Sequence, residues 1–485
     1  MGRTRKKNHG RRGIPAIDKT RPDLGPLFAP RTVAVIGAST DPRKFGGMPV
    51  HLTTMRGFAG RLVPVNPTVP ELQGLPSVAR IGDVPGPVDC AIVSVPAAAV
   101  EDSVRACAEA GVRIAVIFSA GYAETGAAGA AAQKRLVGIA RAGGMRILGP
   151  NCMGVFNRPA EFYGTFTSAF QHYDGDGFPR AGRTAIVSQS GAIGVHLMVL
   201  LRENGVGTGK WVTTGNQSDI DIADCVDWLA DDPDTGVIAL YLEGIPDGRR
   251  FAAALRRADA AGKPVVVLKA GATDAGARAA RSHTASLAGA DAVFDGALRQ
   301  HGAIRAATME DLATVVAVFD AGALPPSRSL GAVSISGGAG ALMADAAAAA
   351  GLDLPDLPKP AQARLLDIVP FASPLNPMDT AGPGMMDMDV TFGFLETAVR
   401  DGAYGAICAF LTHLGLVDRH WEVLAPRIAA LKAEFPDRLI VLSATATRAR
   451  RAAMAQAGIP VLVEPAAAVR AIGAVAAFAE RQRRK

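Results

Sequence analysis

Thr32-Val33-Ala34-Val35-Ile36-Gly37-Ala38-Ser39-Thr40 is an uncharged, β-branched run that flows straight into a glycine turn, with Gly46-Gly47 following to open a helix. The apolar run reads as a buried strand and the small residues after it as a tight turn. Strand, turn and helix in that order form the unit from which parallel sheets are built. The unit continues outward, with apolar strands expected at 62–65, 90–95, 113–118 and 146–148 and helices at 97–110 and 126–141. Alternation of this kind predicts an α/β chain whose first domain carries a Rossmann-like parallel sheet.

Two more units repeat the device. A strand at 184–187 feeds Ser188-Gln189-Ser190-Gly191-Ala192-Ile193-Gly194, and a strand at 331–335 feeds Ser334-Ile335-Ser336-Gly337-Gly338-Ala339-Gly340. The shared pattern S-x-S-G-x-x-G aims the free amides of a helix start above the sheet, as an anion site or, in the alternative, as serine capping alone. Further strands are expected at 236–242, ending in Glu243-Gly244, and at 264–268, leading through Lys269 to Arg281-Ser282-His283-Thr284. His283 in that small-residue loop is read as a carrier of a phosphoryl group, against the alternative of a partly buried polar side chain. Glu243 at a neighbouring strand end can take one imidazole N–H and leave the other nitrogen nucleophilic; otherwise it is a solvated carboxylate. The third unit adds strands near 405–411 and 438–442 and a last helix from Pro465.

An NAD site is excluded at the first turn. The glycines do not form G-x-G-x-x-G, and Asn66-Pro67 stands where the second strand would need a ribose-binding acid. The residues suit the phosphates of a longer ligand such as coenzyme A: Gly37, Ser39, Thr40, Arg43 and Lys44, with Asn66, Pro67, Val95 and Pro96 on adjacent strand ends. Tight turns with solvated charges are the alternative. A P-loop at 205–211 fails, because Asn204 replaces its first glycine and Trp211 follows Lys210 where Ser or Thr must hold magnesium. Cys152, with no base beside it, is read as structural.

Length and charge bound the rest. A chain of 485 residues predicts about three domains. The net charge of +6 sits in the tails: residues 1–22 hold eight basic side chains against Asp18, residues 481–485 hold four more, and the body between is acidic. A basic arm with no apolar periodicity reads as solvated chain, so neither nucleic-acid binding nor a secretory signal is expected, and cytoplasmic placement follows. Five scattered cysteines predict neither a disulfide framework nor a metal site. No membrane span is expected.

The motifs Val187-Ser188-Gln189-Ser190-Gly191-Ala192, Gly215-Asn216-Gln217-Ser218-Asp219-Ile220-Asp221, Tyr241-Leu242-Glu243-Gly244-Ile245 and Ala279-Ala280-Arg281-Ser282-His283-Thr284 resemble those of the α-subunits of ADP-forming (NDP-forming) acyl-CoA synthetases, in the succinyl-CoA synthetase superfamily. The resemblance implies a basic arm at 1–23, a CoA-binding Rossmann-like domain at 24–155, and flavodoxin-like ligase domains at 178–325 and 326–480. It implies that His283 is phosphorylated, that Glu243 steadies it, and that the turns at Ser190-Gly191 and Gly337-Gly338 cradle the phosphate. The implied reaction joins a small carboxylic acid to CoA, with ATP cleaved to ADP and phosphate, through acyl phosphate and phosphohistidine. ATP and Mg²⁺ are then expected on a separate ATP-grasp β-subunit, in a hetero-oligomer. Two departures stand out, Ala285 for a usual glycine and Gln217-Ser218 for a usual Glu-Ala. The alternative function is a non-catalytic CoA-binding regulator or scaffold, against which His283 and Glu243 speak.

Overall fold

The computed structural model describes residues 22–172, 178–276, 278 and 291–485. The basic arm before residue 22 and His283 with its loop lie outside the described residues.

Three sheets, parallel but for one hairpin in the second, follow one another along the chain. The first contains β1 (Thr32–Ile36), β2 (Arg61–Val65), β5 (Cys90–Val93), β6 (Ile114–Ile117) and β7 (Arg146–Leu148) in the order β2-β1-β5-β6-β7, while β3 (Glu71–Leu72) and β4 (Leu75–Pro76) make a separate small hairpin. The second runs β14-β13-β12-β10-β11-β8-β9, from β8 (Gly154–Asn157), β9 (Phe162–Thr165), β10 (Thr184–Ser188), β11 (Thr208–Thr213), β12 (Val237–Leu242), β13 (Val265–Lys269) and β14 (Ile304–Arg305). The third runs β16-β15-β17-β18-β19, from β15 (Leu330–Ser334), β16 (Met378–Asp379), β17 (Ala406–Thr412), β18 (Leu439–Ala444) and β19 (Val461–Leu462).

Numbered within each unit and leaving aside the hairpin β8–β9, the parallel strands of all three sheets share the flavodoxin-like order 2-1-3-4-5, whose switch point lies between the first and third strands. The near-continuous apolar runs seen in the sequence are the strands buried on both faces; β1, β5, β6, β10 and β12 are buried along almost their whole length. The hairpin β8–β9 pairs antiparallel with β11, so the chain enters the second sheet at Gly154. The run 205–211 that mimics a P-loop is the approach to β11 and part of it, and the Lys210 ammonium is buried 2.7 Å from Asp232.

One apolar core spans the first and second sheets, joining Val33 and Ile92 to Val187 and Leu240. Another spans the second and third, joining Ile186 and Trp211 to Val441 and Ile472. The last helix, Pro465–Arg483, reaches back so that Arg481 meets Asp259, with Nη2–Oδ2 at 3.0 Å. Among the described residues no helix is long and apolar enough to cross a membrane.

Candidate active site

The first turn leaves β1 at Gly37, whose φ is +79°. A Cβ there would lie 2.3 Å from the Ser94 carbonyl and 2.9 Å from the Val95 side chain, so only glycine lets β1 and β5 diverge at their switch point. Asn66 ties the second strand into this edge: Nδ2 donates to the Ala38 carbonyl at 2.9 Å, and Oδ1 accepts from the Thr68 amide at 2.9 Å and the Val69 amide at 3.2 Å. Ser39 Oγ accepts the Asp41 amide at 3.1 Å, and Gln73 braces the loop by donating to the carbonyls of Ser39 and Gly47. Gly37, Ser39, Asn66 and Val95 therefore share one sheet edge, with Thr40, Lys44, Pro67 and Pro96 exposed around it. Arg43 is exposed as well, but both ends of its guanidinium are held by Asp41, at 3.0 and 3.1 Å. That pairing keeps the Asp41 carboxyl down at about 2.

The second turn is more tightly built. Ser188 Oγ donates to the Ser190 carbonyl at 2.6 Å, and Ser190 Oγ caps helix Gly191–Glu203 by accepting the Ile193 amide at 3.4 Å. A Cβ on Gly191 would lie 2.5 Å from Met153, which packs over the helix start. Gln189, read in the sequence only as a spacer between serines, proves central. Its buried Oε1 accepts the amides of both Glu243, at 2.8 Å, and Gly244, at 3.1 Å. Gln217 holds the other side of Gly244 by donating to its carbonyl at 3.3 Å, while its Oε1 accepts the first amide of helix Ile222–Asp231. Glu243 is thus fixed at the end of β12, beside the Ser190–Gly191 helix start. Tyr241 donates to its carboxylate at 3.3 Å, and burial together with that carboxylate pushes the phenol well up, keeping it a donor.

β13 lies next to β12, so the segment leading to His283 leaves the sheet at this same edge. Its two ends are pinned together. Lys269 donates to the carbonyls of Ala270 and Gly271 and lies 3.6 Å from Asp291, which also pairs with Arg305 at 2.8 Å.

The third turn repeats the first-serine device, Ser334 Oγ donating to the Ser336 carbonyl at 2.7 Å. Ser336 does not cap helix Gly337–Ala349 with its side chain, and an added Cβ on Gly337 would lie 3.1 Å from an Asp379 carboxylate oxygen. Asp379 thus stands close to Gly337 as Glu243 stands close to Gly191, but the Gly337 turn belongs to a different sheet.

The segment 215–219 clasps the first two sheets. Ser218 Oγ donates to the Gly149 carbonyl at 2.7 Å, and Asn216 Nδ2 donates to Glu124 at 2.5 Å and Gln133 at 2.9 Å. Asp219, fully buried, accepts from Arg141 and Arg146, both at 2.7 Å, and from the Ile147 amide at 2.9 Å. Cys152, one turn away, is buried and donates to the Ile117 carbonyl at 3.3 Å; burial pushes its thiol up to about 12, so it is a packed group and not a nucleophile. Among the described residues no group of three or more His, Cys, Asp or Glu is arranged to hold a metal ion.

With this geometry in place, the likenesses to other proteins fall into register. A family of CoA binding domains matches residues 31–158, and a family of succinyl-CoA ligase-like flavodoxin domains matches residues 181–319. The α-subunit of acetate–CoA ligase [ADP-forming] II from Pyrococcus furiosus is 38% identical over 354 residues, 73% of this chain and 75% of the relative. The chain belongs to the ADP-forming acyl-CoA synthetase family. The α-subunit of ligase I from the same organism, 32% identical, aligns over 93% of this chain and 97% of its own length. The dinucleotide-forming acetyl-coenzyme A synthetase 1 of Ca. Korarchaeum cryptofilum, solved with phosphate and ADP, superposes with a TM-score of 0.84 at 32% identity, covering 95% of this chain and 98% of that one. Membership makes the chain a ligase with CoA as substrate and sets aside the scaffold alternative, and its α-subunit relatives imply a partner subunit.

Proposed function

We propose that this chain is the subunit of an ADP-forming acyl-CoA synthetase that carries CoA and a phosphohistidine, His283, while a separate ATP-grasp subunit holds ATP and Mg²⁺. The observation that carries the reading is the Gln189 bridge, which fixes Glu243 at the end of β12 beside the Ser190–Gly191 helix start. A carboxylate that orients one imidazole nitrogen and a helix start that faces the phosphoryl group are the two things a phosphohistidine needs.

A phosphoryl group on imidazole carries close to two negative charges. The free amides and positive end of helix Gly191–Glu203 offset part of that charge, by about 0.3–1 kcal/mol when exposed and up to ~2 when partly buried. Glu243, acting on the far nitrogen, keeps the near one available to take the γ-phosphoryl of ATP, ADP leaving. A carboxylate oxygen of the acid then takes the phosphoryl group to give acyl phosphate. The CoA thiolate attacks the acyl carbon, and phosphate departs. Gly37, Ser39, Thr40, Lys44, Asn66, Pro67, Val95 and Pro96 are the proposed CoA edge; Arg43 joins them by exchanging Asp41 for a ligand phosphate. The Gly337–Gly338 turn is proposed as a second phosphate contact, with the Asp379 carboxylate close to Gly337.

The test is ³²P labelling with ATP and the partner subunit. An acid-labile, base-stable label is expected on the wild-type chain and absent from His283→Ala; equal labelling of both would sink the reading. Full turnover of acid, CoA and ATP by the purified chain alone would remove the ATP-grasp partner from it.

A further inference from the structure

Ser188 and Ser334 are the last residues of β10 and β15, and both are fully buried. A buried hydroxyl needs a partner, and each takes the carbonyl two residues on, Ser188 that of Ser190 at 2.6 Å and Ser334 that of Ser336 at 2.7 Å. A carbonyl only accepts, so the hydroxyl hydrogen lies on that line. The same two carbonyls receive the first bond of each helix, from the Gly194 and Gly340 N–H groups, both at 3.0 Å. Under the second turn stands a further donor. Trp211 is fully buried, its indole Nε1 has no hydrogen-bond partner among the described residues, and an added Cβ on Gly194 would lie 3.2 Å from that nitrogen and 3.2 Å from Ser188 Oγ. An N–H so placed turns the Ser188 hydroxyl hydrogen away from itself and toward the carbonyl. At the third turn the Ser336 N–H takes that part, donating to Ser334 Oγ at 3.0 Å.

The consequence falls on the far side of the peptide. A planar trans unit points its C=O and N–H in opposite directions, and the Ser190 carbonyl shares its unit with the Gly191 N–H, the Ser336 carbonyl with the Gly337 N–H. Donors on a carbonyl draw charge from its nitrogen, and hydrogen bonds chained in this way strengthen one another by about 10–30%. Capping does not account for the first serines, since Ser190 caps its helix and Ser336 does not, while Ser188 and Ser334 act alike. We propose that Ser188 and Ser334 are positioning residues that orient and polarise the Gly191 and Gly337 N–H groups, through the peptide units 190–191 and 336–337, for a phosphoryl group. The proposal rests on the phosphohistidine reading above.

Its test is the equilibrium of phosphoryl transfer. The full chain with its partner subunit is incubated with ³²P-labelled ATP and with ADP at a fixed ratio, without acid or CoA, and the ratio of labelled to unlabelled chain is read at equilibrium. In Ser188→Ala that ratio should fall about two- to fivefold, the scale of such strengthening in a charge-assisted hydrogen bond. Ser188→Cys, of the same shape but a weaker donor, should lie between, and it carries the comparison if Ser188→Ala does not fold. Ser334→Ala should slow the approach to equilibrium by a similar factor, and an unchanged rate overturns the Ser334 half. Urea midpoints of the labelled and unlabelled chains separate this role from a structural one. Ser188→Ala should lower the labelled midpoint more, whereas a merely structural serine lowers both alike. Equal equilibria in wild type and variant, or equal losses in both midpoints, overturn the proposal and leave the phosphohistidine standing. Absence of label from the wild-type chain removes the phosphohistidine, and the proposal with it.

Discussion

Replacing Gln189 by Leu keeps the volume of the side chain and removes the one acceptor shared by the Glu243 and Gly244 amides. Gly244 is buried and Glu243 half-buried, so one amide loses its partner outright and the other regains water in part. At about 1–3 kcal/mol for a buried donor left unmade, the pair amounts to about 2–4 kcal/mol. For a transition of 150–250 residues, each kcal/mol moves Tm by about 2–4 °C, which predicts a fall of about 5–15 °C in a melt. The same loss frees Glu243 to shift, and a displacement of about 1 Å in a positioned group can cost 10²-fold in rate. Formation of labelled phosphohistidine should accordingly slow by one to two orders of magnitude. Gln189→Glu separates the two effects. It restores the acceptor and most of the melting temperature, but it adds negative charge beside Glu243 and the phosphoryl group, so the rate stays low. If Gln189 acts through Glu243, Gln189→Leu and Glu243→Gln must be non-additive in rate, by about 0.5–3 kcal/mol for residues in contact. A Gln189→Leu chain with unchanged melt and labelling rate, or strict additivity with Glu243→Gln, would refute the bridge as the organiser of this site.

Other expectations follow from the clasp and the loop base. Burial alone would raise the Asp219 carboxyl, but Arg146, the Ile147 amide and Arg141 outweigh it and hold the group below the ordinary carboxylate range. Its stabilisation is therefore complete above about pH 4 and drains away as pH falls through the depressed folded value. Asp219→Asn should cost about 2–3 kcal/mol at pH 7, less than the 3–5 of a fully buried pair because both arginines keep some water. The deficit should shrink toward pH 3, and one that stays constant down to that pH contradicts the pairing. Lys269→Met, which removes the tie to Asp291, should speed limited proteolysis between residues 270 and 291 several-fold; an unchanged cleavage rate would mean that the ends are held by other contacts. Cys152, with its thiol at about 12, should remain unmodified by iodoacetamide in the native chain at pH 8, and stoichiometric labelling there would count against its packed role.

The fold was legible wherever burial leaves a periodic trace. Each sheet announces itself through a first strand without charges that runs into a glycine turn, because a strand covered on both faces carries mostly apolar residues, its few Ser and Thr finding hydrogen-bond partners. The order of strands was less accessible. Nothing in the sequence tells a sheet ordered 2-1-3-4-5 from the dinucleotide-binding order, since both begin with the same strand, turn and helix. The hairpin β8–β9 escaped because Gly154 and Gly164 interrupt its short apolar runs; its glycines are needed where the two strands approach, an added Cβ on Gly154 meeting the Gly164 carbonyl at 2.0 Å.

The site divides along a similar line. Glycines and serines of the turns are visible because their chemistry is local: Ser190 caps the helix it precedes, and Gly37 permits the bend it occupies. Gln189 and Gln217 work on a strand end 54 and 27 residues away, and a glutamine bonding across a sheet leaves no spacing to read. The replacement of a usual acid by Gln217 gains a physical sense here. An amide both donates to the Gly244 carbonyl and accepts the Ile222 amide, whereas a carboxylate could only accept and would set a second negative charge close to Glu243. Asn66 shows the converse. Its position suggested a ligand contact, and its amide bonds Ala38, Thr68 and Val69, so the part proposed for it in the CoA edge runs through the shape of the Gly37 turn. Asn66→Asp would keep the acceptor and lose the bond to Ala38, and should weaken CoA binding by loosening that turn even though no CoA atom need touch residue 66.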